Sequence, residues 1–119
     1  MIKKVISPFR GEIWYINLDP TVGHEQAKKR PCLIVSNNKF NQGGSELIIV
    51  VPLTSKLKTN PLHVFLSSQE SGLKVDSYIL CDQIRTVSQE RIHGTSLGII
   101  SQAVMRQVEY ALKVVLDMY

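Results

Sequence analysis

The residues able to do chemistry gather at three places. Between Thr21 and Arg30 the run T-V-G-H-E-Q-A-K-K-R sets one histidine, an acid-amide pair and three cations within ten positions. An imidazole such as His24 can act as acid or base near neutral pH, although a loop histidine is as readily just solvated. Glu25 and Gln26 suit bracing the loop or hydrogen-bonding a base edge better than moving protons. Arg30 stands directly before Pro31, which limits it to extended backbone; a fixed guanidinium gives two hydrogen bonds to a phosphate and holds its developing charge, the alternative being a solvated cation. Lys28 and Lys29 add charge beside it. The second place is Thr54-Ser55-Lys56 after V-V-P-L, where a hydroxyl can contact a phosphate or merely cap a turn. The third is L-C-D-Q-I-R, with Asp82, Gln83 and Arg85; the carboxylate could satisfy loop amides and Arg85 could form an internal ion pair. His63 and His93 have no partner motif and receive no role. Trp14 reads as core or dimer interface, which leaves Phe40, in a polar loop, as the better ring for stacking on a nucleobase.

These side chains need rigid elements behind them. Gly11–Leu18 (G-E-I-W-Y-I-N-L) reads as a strand with Trp14, Ile16 and Leu18 on one face, ended by Asp19-Pro20. Residues 21–30 show no helical stripe, so they are expected to form a long, exposed, charged loop, the kind that binds something. Pro31–Ser36 and Leu47–Pro52 are short continuous apolar runs suited to central strands, separated by the turn-forming N-N-K-F-N-Q-G-G-S. Leu62–Leu66 and Tyr78–Val87 supply two or three more. Many short strands with turn chemistry between them, and no long helix before residue 100, point to a small closed barrel rather than a βαβ sheet. After Ser101, a plausible N-cap, Val104, Val108, Ala111, Leu112 and Val115 recur at helical spacing, with Glu109 and Lys113 set for an i,i+4 pair. One C-terminal helix is expected to pack on the barrel.

Composition narrows the function classes. A chain of 119 residues is one domain's worth, enough for a single core without disulfides or metals. Its formal charge of +4 comes from cations clustered at Lys3/Lys4, Lys28/Lys29/Arg30, Lys56/Lys58 and Arg85/Arg91, which favours a polyanionic partner. The two cysteines, Cys32 and Cys81, lie far apart in apolar runs; this fits buried thiols rather than a zinc knuckle or a disulfide framework. No apolar stretch approaches the roughly 20 residues of a membrane span, and the first ten residues lack a signal peptide's apolar region, so a cytoplasmic protein is expected.

G-E-I-W-Y-I-N-L-D-P-T-V-G-H-E-Q-A-K-K-R-P-C-L-I-V-S resembles the first strand and loop of the MazF/PemK/Kid toxins of toxin-antitoxin modules. The likeness continues through V-V-P-L-T-S at Val50–Ser55 and L-C-D-Q-I-R-T at Leu80–Thr86, and so spans about residues 10 to 118 of a single 1–119 domain. It implies a mainly β fold, an SH3-like small barrel with a C-terminal helix, assembled as a homodimer with RNA along a groove on its surface. It implies a sequence-specific, metal-independent endoribonuclease that cuts single-stranded mRNA by 2′-hydroxyl attack, leaving a 2′,3′-cyclic phosphate and a 5′-hydroxyl. Such a toxin inhibits translation and growth; a cognate antitoxin neutralises it, and the two together bind DNA. No cofactor, metal or membrane is expected.

The resemblance also distributes roles. Arg30 aligns with the family's catalytic arginine and Thr54 with the threonine whose hydroxyl contacts the scissile phosphate. His24 and Asp82 join them as catalytic candidates, with Glu25, Gln26, Lys28, Lys29, Ser55, Lys56, Gln83 and Arg85 as RNA contacts. One departure matters: the PemK/Kid subgroup pairs the Asp82 carboxylate with an arginine two positions earlier, where this chain has Leu80. That removes one proton donor and moves the catalytic cation back onto Arg30 and Arg85. Two rival readings are a non-enzymatic DNA gyrase poison resembling CcdB and a catalytically silent binding barrel; neither needs a phosphate-stabilising arginine beside a hydroxyl.

Overall fold

The structure, a computed structural model, describes residues 8–26, 28–56 and 60–118; of the cation clusters, Lys3, Lys4 and Lys58 lie outside the described residues. The β-rich segments read above form strands β1 (Glu12–Asn17), β2 (Lys29–Ile34), β3 (Leu47–Thr54), β4 (His63–Leu66), β5 (Ser77–Leu80), β6 (Arg85–Ser88) and β7 (Ile92–Ile99). All their pairings are antiparallel, and the main path of the sheet runs β4-β5-β3-β2-β1-β7. Strand β3 serves three neighbours: β6 beside Leu47–Val50, β2 beside Val50–Pro52 and β5 beside Leu53–Thr54.

Both faces of the central strands are buried, which explains their continuous apolar runs. Ile13, Leu33, Val51 and Leu53 enter one core with Val104, Val108 and Ala111 of the C-terminal helix. Trp14, Ile16, Leu18, Cys32, Ile34, Ile48 and Val50 enter the other with Val87 and Ile92. Trp14 is therefore a core residue, and the expected face of the first strand holds. The helix, α3 (Gln102–Leu116), begins where Ser101 Oγ accepts from the Val104 N–H at 3.2 Å, the expected cap. Glu109, expected to pair with Lys113, is engaged instead by Arg10 at 2.5 Å, which ties α3 to the start of β1.

Several expectations are corrected. Among the described residues β4 and β7, the two ends of the path, do not pair, so the sheet is open rather than a closed barrel. The chain leaves β4 into a single helical turn, α2 (Ser68–Ser71), which lies against β7. A Cβ at Gly98 of β7 would stand 1.9 Å from the Ser71 carbonyl oxygen, so glycine there is what permits the approach. Of the two or three strands expected from Leu62–Leu66 and Tyr78–Val87 there are three, because a 3₁₀ turn at Cys81–Gln83 divides the second run into β5 and β6. The supposed turn at 37–45 includes α1 (Asn38–Asn41), capped by the Asn37 side chain, and carries Phe40. Strand β7, with two glycines and a Thr-Ser pair among its eight residues, has no apolar alternation to announce it.

Candidate active site

The charged loop between β1 and β2 is shorter than its sequence suggests. Lys29 and Arg30 belong to β2, opposite Asn17 and Ile16. The loop thus ends at Lys28, whose backbone is left-handed (φ 67°) and whose N–H is held by the Asp19 carboxylate at 3.0 Å. Two arginines fix the loop's beginning: Arg85 donates to the Leu18 carbonyl at 3.1 Å, and Arg91 donates to the carbonyls of Asn17, at 3.1 Å, and Asp19. Arg85 thus makes an internal bond, to a carbonyl rather than the expected carboxylate. Glu25 braces the loop through the Val22 N–H at 2.7 Å, as expected, and Gln83 holds the Gln26 N–H at 2.8 Å.

The predicted site residues divide between two clefts that adjoin across the end of β3. One, of about 580 Å³, is lined by Arg30, Thr54, Ser55, Lys29 and Lys56. The other, of about 430 Å³, is lined by His24, Glu25, Gln26, Asp82, Gln83 and Arg85. Pro52 lines the second cleft and Leu53 and Thr54 the first, so one strand end supplies walls to both. Lys28 lines neither.

In the first cleft Arg30 is half-buried and its Nη1 lies 3.4 Å from the Leu53 carbonyl, which keeps the guanidinium at the strand end. Thr54 is buried, and its Oγ1 accepts from the Lys56 N–H at 3.2 Å. With that lone pair engaged, the hydroxyl proton is left to donate to a ligand oxygen. Lys29, Lys56 and Lys74 ring the mouth. Sequence reasoning missed Lys74, and it missed Tyr15, whose exposed ring lines this cleft. Strand alternation could have found Tyr15, because it must point away from the face of Trp14 and Ile16. Phe40 lines neither cleft, so the structure does not bring the expected stacking ring to the site.

In the second cleft Asp82 sits on the 3₁₀ turn rather than at a strand end. Its Oδ1 lies 2.9 Å from Nε2 of His63, a residue the sequence left without a role. Both cysteines are free and buried. Burial pushes the Cys32 thiol up to about 12, against the pull of Arg30 and Arg85; burial, then the nearby Asp82 charge, takes Cys81 to about 12 as well. Both are therefore protonated at neutral pH and unsuited to nucleophilic attack. Among the described residues no three His, Cys, Asp or Glu side chains gather as a metal centre would need, and no helix is long and apolar enough to cross a membrane.

A cation-and-hydroxyl cleft beside a carboxylate-imidazole cleft, on an open antiparallel sheet with one packed C-terminal helix, has close counterparts. The chain is 40% identical over 115 residues to endoribonuclease MazF9 of Mycobacterium tuberculosis, covering 92% of this chain and 97% of that one. It is 37% identical to endoribonuclease PemK of Escherichia coli over 90% of this chain and 80% of the relative. Its fold is similar to a crystal structure of MazF from Deinococcus radiodurans, with a TM-score of 0.85 and 28% identity over 96% of this chain and all of that one. It is also similar, with a TM-score of 0.77 and 28% identity over 94% and 97% of the two chains, to a mycobacterial endoribonuclease solved in complex with its cognate antitoxin. The family model for PemK-like, MazF-like toxins of type II toxin-antitoxin systems matches residues 9–116, and the chain belongs to that family.

Proposed function

We propose that this toxin is an endoribonuclease that cuts single-stranded mRNA without a metal, by attack of the ribose 2′-hydroxyl on the adjacent phosphorus. The single observation that carries the reading is the placement of the Arg30 guanidinium and the Thr54 hydroxyl at one cleft mouth ringed by lysines. As the 2′-oxygen bonds to phosphorus, negative charge grows on the non-bridging oxygens. Arg30 meets that charge with paired N–H donors, and Thr54 donates its O–H. The 5′-oxygen then leaves, giving a 2′,3′-cyclic phosphate and a 5′-hydroxyl. One proton must leave the 2′-hydroxyl and one must reach the 5′-oxygen; His24 and Asp82, in the adjoining cleft, are the acid-base groups at hand. Lys29, Lys56, Lys74 and Ser55 track the backbone, Lys28 adds long-range attraction, and Glu25, Gln26, Gln83 and Arg85 shape where a flanking nucleotide enters.

Two copies pairing about a two-fold axis would double the length of the basic surface, and the homodimer is part of this reading. An antitoxin with an acidic segment would neutralise the toxin in the cytoplasm by covering the same lysines. Neither a gyrase poison nor a silent barrel calls for a buried threonine hydroxyl beside a held arginine. Sequencing the ends of RNA fragments after exposure to the purified protein tests the reading: cuts within one short motif support it, and intact RNA at micromolar protein contradicts it.

A further inference from the structure

Asp82, one of the acid-base groups on which this cleavage reading rests, makes one pairing that the reading leaves without a purpose. His63 lies in β4 opposite Leu80 of β5, and directly after Leu80 the chain turns through Cys81–Gln83, which swings Asp82 back over β4. The His63 side chain is only 5% exposed, Asp82's is 34% exposed, and Nε2 and Oδ1 are 2.9 Å apart. Among the described residues this contact with His63 is the hydrogen bond that the Asp82 carboxylate makes, and the three-residue turn that carries it has no side-chain cap of its own. His63 Nδ1 is buried with no hydrogen-bond partner among the described residues. A buried imidazole with one nitrogen unsatisfied is a cost that packing alone does not explain.

We infer that His63 is a positioning residue for cleavage: its Nε2–H donates to Oδ1 of Asp82 and holds that carboxylate in the cleft. The ring transfers no proton and touches no substrate; it fixes the rotamer through which Asp82 works.

The test compares His63→Leu, which fills the space without a donor, with His63→Gln, whose amide N–H can reach Asp82, each alone and with Asp82→Asn. The expected result is a loss of about 10-fold in kcat for His63→Leu with KM little changed, the scale of one lost hydrogen bond to a charged group. His63→Gln should recover most of it, and His63→Leu should add nothing once Asp82→Asn is present. A merely structural histidine would show the same loss in both backgrounds and no rescue by Gln. Thermal melts accompany each variant; if His63→Leu is poorly folded, His63→Asn, one methylene shorter than Gln, takes its place. Full turnover in His63→Leu, or equal rates for the donor and non-donor variants, overturns the inference. Wild-type turnover in Asp82→Asn overturns it together with the role of Asp82, while Arg30→Ala reports separately on the cleavage reading.

Discussion

Replacing Arg30 by alanine separates charge stabilisation from binding and from folding. Arg30 is a β2 residue whose main chain pairs with Ile16, and that pairing survives the substitution. The side chain's bond to the Leu53 carbonyl is long at 3.4 Å, against about 2.9–3.0 Å for a typical N–H···O bond, so losing that bond should cost about 0.5–1 kcal/mol. If the guanidinium holds the charge on the phosphorane, turnover should fall about 100- to 1,000-fold, the size of one removed electrostatic stabiliser. Affinity should fall much less, because one lost phosphate contact lowers the salt slope by about one unit. Lys29→Ala deletes the same charge from the same strand and cleft, and Lys28→Ala deletes it from outside both clefts. Single-turnover cleavage at saturating protein reads the difference. Equal cutting rates for Arg30→Ala and Lys29→Ala would reduce Arg30 to an ordinary phosphate contact with no part in charge stabilisation.

Further outcomes follow from the same geometry. Thr54→Val keeps the shape of a buried residue while removing its O–H; cleavage should drop by about 10-fold or more at nearly unchanged RNA affinity, measured by parallel kinetic and binding titrations. Gly98→Ala forces a methyl group to 1.9 Å from the Ser71 carbonyl oxygen, so backbone must shift, and denaturant titration should show a loss of at least about 2 kcal/mol. Cys32 and Cys81, raised from 9.0 to about 12 by burial, should resist alkylation at pH 7.5 until the protein unfolds. Because their folded values are raised, the stability they contribute is present below about pH 9 and is lost as pH climbs toward 12, which alkaline unfolding curves will show.

Much of the fold was legible because local pattern and tertiary role agree. Trp14 and Ile16 alternate on β1, Leu18 follows directly after it, and all three share one core; Ser101 caps the helix whose Val104, Val108 and Ala111 are buried. Where the reading failed, distant contacts decide. Lys29 and Arg30 look like loop because they are polar, yet pairing with Asn17 and Ile16 makes them strand. The run from Tyr78 to Val87 hides its turn, since Cys81 is buried in spite of it. Family resemblance put Arg30, Thr54, His24 and Asp82 into one catalytic set, but no spacing in the sequence shows that the end of β3 divides them between two clefts. His63 carries no motif at all; its partner lies 19 residues away and meets it only through the β4–β5 pairing.

The proposed function turns on attack by the substrate's own 2′-hydroxyl at the Arg30–Thr54 cleft. The most direct measurement is the chemistry of the cut ends, read by mass spectrometry on a short RNA and on the same RNA with a single 2′-deoxy residue at the cleavage position, both in excess EDTA. A 2′,3′-cyclic phosphate and a 5′-hydroxyl are expected from the first RNA, and no cut in the second. A 5′-phosphate end, cleavage of the 2′-deoxy substrate, or activity that vanishes with EDTA and returns with magnesium would contradict the proposed function.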